Sequence, residues 1–189
     1  MPEFIKKLNE TADLNLVEGS IEKILKIRAW PNGSKQDSFV QNQIGLNYRN
    51  NAIDQWLDAA GGYNDNQEGK NEIDFVNWNS QVNNYLVNLI EKVVIKNNFR
   101  LGRVRIMRLL PKTGLTYHYD TEKRIHLVIK TNPGAFIFTS APNELEYGTV
   151  GYHLPLDGNF YLVDTTLPHF VYNSGTTERI HLVINCLER

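Results

Sequence analysis

Two residues in the stretch YHYD, His118 and Asp120, are of types that bind metal ions and are separated by one residue. On an extended chain such residues point to the same face, so both side chains can reach one point. The candidate third ligand is His169 in DTTLPHFVYN, because the preceding proline favours an extended conformation at the start of a strand. Two histidines and a carboxylate leave three positions of an octahedral metal open. This ligand set suits Fe(II), since the open positions admit a bidentate organic acid and dioxygen together.

The hexapeptide RIHLVI begins at Arg124 and again at Arg179. Strand alternation places the arginine and the histidine of each copy, His126 and His181, on one face and the isoleucines and leucine on the other. Two interpretations remain open. Either the apolar face packs on the core and the arginine face meets water, as in many half-buried strands, or the arginines point inward and bind an anion, which a buried guanidinium requires. Because the flanks of the two copies do not align, we expect no internal duplication.

The composition argues against several classes of protein. A chain of 189 residues, 41% apolar and 22% charged, can bury a sizeable core. Its net charge of −1 gives no electrostatic footprint for nucleic acid or an anionic membrane. A single cysteine, Cys186, allows neither an internal disulfide nor a zinc finger and indicates a reducing compartment. The sequence contains neither the apolar segment of a secretory signal nor the roughly 18 apolar residues of a membrane span. We therefore expect a cytoplasmic protein.

Residues 1–100 are predicted to form mixed structure. A short helix is expected around Gly19–Lys26, and a longer one at residues 79–96, where the apolar side chains form one stripe. Asn97 and Asn98 follow as its C-terminal end. The segment FVQNQIGLNY has a strand-like pattern, WPNGS reads as a turn, and YNDNQEGKNE reads as a loop.

Residues 101–189 are predicted to be rich in β-structure. The turn segments PKTG, NPG, PLDG and NSGT separate strand-like runs. The expected strands are RVRIMRLL, the segment ending at HYD, RIHLVIK, AFIF, TVGYHL, NFYLVD, HFVYN and RIHLVINC. About eight short strands at this spacing indicate a β-sandwich, a barrel or a jelly roll. We expect one domain spanning residues 1–189, in which residues 1–100 pack on an all-β core that holds the metal site.

Residues 108–189 resemble the aspartyl/asparaginyl β-hydroxylase family of Fe(II)- and 2-oxoglutarate-dependent oxygenases. The segments RLLPKTGLTYHYD, RIHLVIKTNPGAFIF and GNFYLVDTTLPHFVYNSGTTERIHLVI carry the resemblance. They keep the family's order and spacing, including the ten-residue step from His169 to Arg179. The resemblance implies a mainly β fold with flanking helices, a double-stranded β-helix or cupin-like jelly roll that holds iron.

The same resemblance implies that His118, Asp120 and His169 are ligands of Fe(II), with 2-oxoglutarate and dioxygen as co-substrates. Some family members lack a carboxylate at the position of Asp120. Its presence here therefore implies a complete set of two histidines and one carboxylate.

Residues of both RIHLVI copies are implied in co-substrate binding. Arg179 matches the arginine that holds the distal carboxylate of 2-oxoglutarate, and Arg124 and His126 match a pair that lies against the co-substrate near its metal-chelating end. Some members assist the distal arginine with a hydroxyl on the strand before the metal site, and the corresponding segment here, RIMRLL, has none. No role transfers to His181. We expect the two copies to be non-adjacent strands that serve one dicarboxylate.

The implied activity is hydroxylation of a C–H bond of an amino-acid side chain, either in a peptide or protein or in a free amino acid such as proline. Tyr48, Arg49 and Trp56 are candidates for substrate recognition, although Trp56 and Trp78 fit a role as core aromatics better. Two other classes remain open. One is a cupin-like metal-dependent isomerase or hydrolase that does not use 2-oxoglutarate, and the other is a non-enzymatic jelly-roll binding module whose histidines and arginines face solvent.

Overall fold

Antiparallel strands dominate the computed structural model, which describes residues 3–30, 42–61, 71–140 and 148–189. Its strands and helices are β1 (Ile5–Thr11), α1 (Leu14–Ile27), β2 (Gln43–Gly45), β3 (Asn47–Tyr48), β4 (Asn77–Trp78), α2 (Asn84–Lys96), β5 (Phe99–Leu109), β6 (Thr113–His118), β7 (Lys123–Lys130), β8 (Ala135–Ser140), β9 (Thr149–Tyr152), β10 (Asn159–Val163), β11 (His169–Asn173) and β12 (Arg179–Glu188). Residues 31–34 of the turn predicted at WPNGS and most of the predicted loop YNDNQEGKNE lie outside the described residues.

Two sheets form the walls of the barrel. One has six strands in the order β1-β10-β7-β12-β5-β2, and the other has four in the order β6-β11-β8-β9. Apolar residues from both sheets meet between them, among them Leu109, Val128 and Val163 from the first and Ile137 and Val171 from the second. This arrangement confirms the predicted jelly roll, and the strands predicted from residue 103 onward are present with small shifts at their ends.

The N-terminal part of the chain contributes strands to the larger sheet. β1 pairs with β10 at one edge, and β2 pairs with β5 at the other. The sequence analysis assigned no strand to Ile5–Thr11. Residues before position 100 therefore extend the barrel sheet as well as packing against it.

Helix α2 begins at Asn84, five residues after its predicted start. Asn83 caps it, because its side chain accepts a hydrogen bond from the backbone N–H of Leu86 at 2.9 Å. Upstream, Asn79 closes a separate turn by accepting a hydrogen bond from the N–H of Val82. The predicted end is confirmed: the helix stops at Lys96, followed by Asn98 in the left-handed region with φ of 63°.

Both helices pack on the outer face of the six-stranded sheet. Helix α1 starts at Leu14 rather than near Gly19, because Asp13 caps it by accepting hydrogen bonds from two backbone N–H groups. The buried contacts join α1 (Val17, Ile21, Ile24) and α2 (Leu86, Ile90, Val93, Val94) to the sheet (Val104, Ile106, Ile125, Leu127, Leu182, Ile184). Within the described segments, neither helix has the length and apolar character that a membrane crossing needs.

The two RIHLVI copies, in β7 and β12, are direct antiparallel neighbours. The expectation of non-adjacent strands was therefore wrong. Their isoleucine and leucine side chains face the helices, and their arginine and histidine side chains face the inside of the barrel. His126, Arg179 and His181 are 6%, 6% and 2% exposed. The water-facing interpretation does not hold, because helices cover one face of these strands and the second sheet covers the other.

A buried ionic network joins strands β5 and β12 to Glu72. Arg103 donates from Nε to Glu72 Oε1 at 2.6 Å, and Asn185 Nδ2 donates to the same oxygen at 2.8 Å. Arg105 Nη2 donates to Asn185 Oδ1 at 2.7 Å, and all four residues are at most 3% exposed. Burial alone would raise the pKa of Glu72, but the charges of Arg103 and Arg105 outweigh it, and the pKa is lowered. Glu72 lies at the end of the predicted loop, whose composition gave no sign of burial.

We predict that Glu72→Gln lowers the free energy of unfolding by about 3–5 kcal/mol, since it removes one partner of a buried ion pair. Urea denaturation followed by circular dichroism measures the change. The matched control is Glu188→Gln, because Glu188 Oε1 pairs with Lys123 Nζ at 3.2 Å while its side chain is 77% exposed. This exposed pair should contribute less than about 1 kcal/mol. Equal effects of the two substitutions would contradict the proposed importance of the buried network.

Candidate functional site

His118, Asp120 and His169 converge at one end of the smaller sheet. His118 ends β6 and His169 begins β11, and the two are direct cross-strand partners whose ring centroids lie 4.4 Å apart. Asp120 follows β6 and is fixed by a hydrogen bond from its N–H to the carbonyl of Thr165 at 2.8 Å. Each of the three residues offers one ligand atom, and these atoms all lie within 4.8 Å of one another. The pairing of β6 with β11 thus brings His118 close to the distant His169, and Asp120 joins them because it lies two residues after His118.

Backbone carbonyls fix the tautomer of both histidines. His118 Nδ1 lies 2.6 Å from the carbonyl oxygen of Thr116, and His169 Nδ1 lies 2.9 Å from that of Leu167. Because a carbonyl only accepts, each Nδ1 carries the hydrogen and each Nε2 keeps its lone pair. Burial lowers the pKa of His169, which favours the neutral, ligating form. Both rings therefore present Nε2 as a metal histidine does.

Only one of the two carboxylate oxygens of Asp120 has a hydrogen-bond partner among the described residues. Its Oδ1 accepts a hydrogen bond from Arg124 Nη2 at 2.6 Å. Its Oδ2 is buried, has no hydrogen-bond partner among the described residues, and lies 3.6 Å from His169 Nε2. A buried carboxylate oxygen without a partner is unfavourable, and a divalent cation among the three side chains would satisfy it. The donor set of two imidazole nitrogens and one carboxylate oxygen fits Fe(II) and similar metals.

A pocket inside the barrel connects this cluster to the arginines. The polar residues that line it are His118, Arg124, His126, Thr165, His169 and Arg179. Arg124 Nε and His126 Nε2 are both buried, and no described residue forms a hydrogen bond with either atom. Together with Asp120 Oδ2, they leave three polar atoms of this region unsatisfied by protein groups. Ordered water, an ion or a polar ligand would satisfy these atoms.

Arg179 is a buried cation without an acidic partner in the part of the chain that the structure describes. Among the described residues, no carboxylate lies within ion-pair distance of its guanidinium, and its hydrogen-bond partner is His181. Burial lowers the pKa of Arg179 to about 9, so the group remains charged at neutral pH. A buried charge without an opposite charge is strongly unfavourable. The pocket therefore suits an anionic ligand.

The two repeat histidines form one cluster with Arg179. Arg179 Nε donates to His181 Nε2 at 3.0 Å, Arg179 Nη2 lies 2.7 Å from His181 Nδ1, and His181 Nδ1 lies 3.3 Å from His126 Nδ1. Burial, and then the charge of Arg179, hold the pKa of both histidines well below the usual value. The sequence analysis gave His181 no role. The sequence did offer one indication of this contact: His181 follows Arg179 by two residues, so both side chains lie on the same face of the strand.

The residues suggested for substrate recognition lie elsewhere. Tyr48, Arg49 and Trp56 are not among the described residues that line the pocket. Arg49 instead forms a bidentate pair with Asp58, with Nη2 2.7 Å from Oδ1. Trp56 packs against the outer apolar core, as does Trp78, in agreement with a structural role.

Solved structures share the fold at low sequence identity. A prolyl-4-hydroxylase of Pseudomonas putida superposes with a TM-score of 0.55 and 13% identity over 98% of this chain and 93% of that one. The α-ketoglutarate-dependent carbocyclase SnoK from nogalamycin biosynthesis gives a TM-score of 0.58 with 8% identity, over 98% and 80% of the two chains. AviO1 from Streptomyces viridochromogenes Tue57 gives 0.54 with 11% identity, over 98% and 90%.

Sequence comparison identifies the family. No curated protein matches the chain significantly. The family model described as aspartyl/asparaginyl beta-hydroxylase, however, matches residues 70–189, which include α2, all strands from β5 to β12, the three residues His118, Asp120 and His169, and the pocket described above. The chain therefore belongs to the aspartyl/asparaginyl β-hydroxylase family.

Proposed function

We propose that this protein is an Fe(II)- and 2-oxoglutarate-dependent dioxygenase that hydroxylates a C–H bond of an amino-acid side chain. One observation carries the proposal: the buried, uncompensated guanidinium of Arg179 lines the same pocket as the histidines of a three-ligand metal cluster. A ligand that satisfies both must have a metal-chelating end and an anionic end. 2-Oxoglutarate has a 2-oxo acid at one end and a carboxylate at the other.

His118, Asp120 and His169 would hold the iron. When bound, iron supplies the activation of dioxygen that amino-acid side chains cannot perform. The protein prepares the ligands: the carbonyls of Thr116 and Leu167 orient the imidazoles, and the hydrogen bond from Arg124 holds Asp120 Oδ1. Such outer contacts set the orientation and basicity of metal ligands.

Arg179, Arg124 and His126 would bind the co-substrate. Arg179 neutralises the distal carboxylate through charge-assisted hydrogen bonds, which are stronger than neutral ones. Arg124 Nε and His126 Nε2, which have no protein partner, would meet oxygen atoms nearer the metal. Apolar residues complete the lining and keep water from the site, namely Met107, Leu115, Ile137, Val171 and Val183.

The two alternative classes of protein explain fewer features of the pocket. A binding module with solvent-facing histidines and arginines disagrees with the burial of His126, Arg179 and His181. A cupin-like isomerase or hydrolase would use the metal cluster but gives no reason for a buried arginine without a counter-charge. Family membership supports the side chain of an amino acid as the prime substrate, in a peptide or protein or in a free amino acid such as proline.

We predict that anaerobic addition of Fe(II) and 2-oxoglutarate produces a weak metal-to-ligand charge-transfer absorption band, since the co-substrate chelates the iron. His169→Ala should abolish the band because it removes a ligand. His153→Ala is the matched control: His153 is exposed, and its Nδ1 bonds the carbonyl of Ala135, outside the metal cluster. Identical spectra for the wild type and His169→Ala would show that the proposed iron site is wrong.

We predict that Asp120→Asn weakens Co(II) binding by at least about tenfold, because it removes the one anionic ligand. Changes to outer-shell partners of a metal already weaken binding by about 10–100-fold. Spectroscopic titration with Co(II) in air measures the affinity without turnover. Asp74→Asn, at an exposed carboxylate outside the cluster, should leave the affinity unchanged. Unaltered Co(II) affinity in Asp120→Asn would remove Asp120 from the ligand set.

We predict that a member of a panel of free amino acids and peptides stimulates the formation of succinate from 2-oxoglutarate, because prime substrate couples co-substrate decarboxylation to hydroxylation. The measurement compares succinate with and without each compound, and mass spectrometry locates the added oxygen. His169→Ala provides the background. A panel that contains all twenty side chains, free and in peptides, and yields no stimulation would contradict an amino-acid side chain as substrate.

A further inference from the structure

The distal arginine lacks the hydroxyl partner that some family members place on the strand before the metal site. In the segment RIMRLL, the residue that lines the pocket is Met107, which offers no hydrogen-bond donor. Among the described lining residues, Thr165 has a hydroxyl, and that group donates to the carbonyl of Glu122 at 2.6 Å. Its own carbonyl binds the N–H of Asp120, which places Thr165 beside the metal ligands. Among the described lining residues, no hydroxyl group is therefore placed to orient Arg179.

His181 lies beside Met107, the residue of β5 that lines the pocket without a hydroxyl. It is the direct cross-strand partner of Met107 in the β12–β5 pairing. Arg179 and His181 share a strand face, and the guanidinium contacts the imidazole through Nε at 3.0 Å and Nη2 at 2.7 Å. Both side chains are buried, at 6% and 2% exposure. The ring thus fixes the guanidinium inside the pocket.

The hydrogen bonding between Arg179 and His181 leaves one N–H of the guanidinium free to bind a ligand. A guanidinium only donates hydrogen bonds, so His181 must accept and must be neutral. A neutral imidazole has one acceptor nitrogen and therefore satisfies one of the two Arg179 contacts at a time. The lowered pKa of His181, caused by burial and by the charge of Arg179, agrees with the neutral form. The second N–H of Arg179 remains available to a carboxylate.

We propose that His181 is a positioning residue that holds Arg179 in the orientation that binds the distal carboxylate of 2-oxoglutarate, in place of a hydroxyl on β5. The inference rests on the proposed function and extends it to a residue for which family resemblance gave no role. It predicts a specific defect when the ring nitrogens are lost: recognition of the distal carboxylate weakens, while chelation at the metal is unaffected.

The experiment compares two ligands that differ at the distal end alone. 2-Oxopentanoate has the 2-oxo acid and the chain length of 2-oxoglutarate but ends in a methyl group. Calorimetric titration of the Mn(II)-loaded protein under nitrogen gives the dissociation constant of each ligand without turnover. In His181→Phe, which keeps a ring but no nitrogen, we expect the preference for 2-oxoglutarate to fall by about 10–100-fold, the range of a hydrogen bond to a charged group. The affinity for 2-oxopentanoate and for Mn(II) should not change.

Two further variants make the outcome decisive. His181→Leu tests the same loss with a smaller side chain, so either variant suffices if the other does not fold. Adding Met107→Thr to the His181 variant returns a hydroxyl to β5 and should restore about tenfold of the lost preference. His153→Ala, an exposed histidine outside the pocket lining, should keep the wild-type preference.

Each result has a distinct meaning. If the wild type does not bind 2-oxoglutarate, the proposed function is wrong and the inference falls with it. If the wild type prefers 2-oxoglutarate and the His181 variants retain that preference, the inference alone is wrong. Equal weakening of both ligands would also overturn it, because it would indicate a general structural defect rather than loss of arginine positioning.

Discussion

Charge compensation inside the barrel is the constraint on which this structure depends. Arginine side chains from three neighbouring strands point into a space from which water is largely removed, so each charge needs an opposite charge or hydrogen-bond acceptors. Arg105 donates to the amide oxygen of Asn185. Glu72 forms an ion pair with Arg103, and Asp120 forms one with Arg124. No carboxylate of the described residues serves Arg179. The same rule that stabilises the fold thus creates a site where an anion binds favourably.

A polar interior is possible because the main apolar core lies outside the barrel. The isoleucine and leucine faces of β7 and β12 pack under both helices, where residues such as Ile90, Ile125 and Ile184 are fully buried. That layer buries a large apolar surface, and the burial of apolar surface is the dominant stabilising term in folding. The inner face of the same strands is then free to carry arginine and histidine. One strand therefore stabilises the fold with alternate side chains and builds the pocket with the others.

Strand pairing fixes the relative positions of His118 and His169. Cross-strand pairing of β6 with β11 brings His118 and His169 together over 51 residues of sequence, and a register shift follows within the same pair. Carbonyls two residues before each histidine fix the ring, so strand geometry determines the tautomer as well as the position. Ligands on paired strands are held more rigidly than ligands on loops.

The sequence by itself predicted the β-rich second half, because strand alternation and turn residues are local properties of the chain. Its resemblance to a known family predicted the jelly roll and the residues that the fold brings together around His118 and Arg179. It did not determine which strands are neighbours, and β7 and β12 were expected apart although they pair directly. It also could not decide whether the arginine face meets water, since period-two alternation is the same for a strand buried on one face or on both. The burial of Glu72 and the contact between His181 and Arg179 likewise follow from tertiary packing: both depend on groups that only the folded barrel brings into one water-poor space.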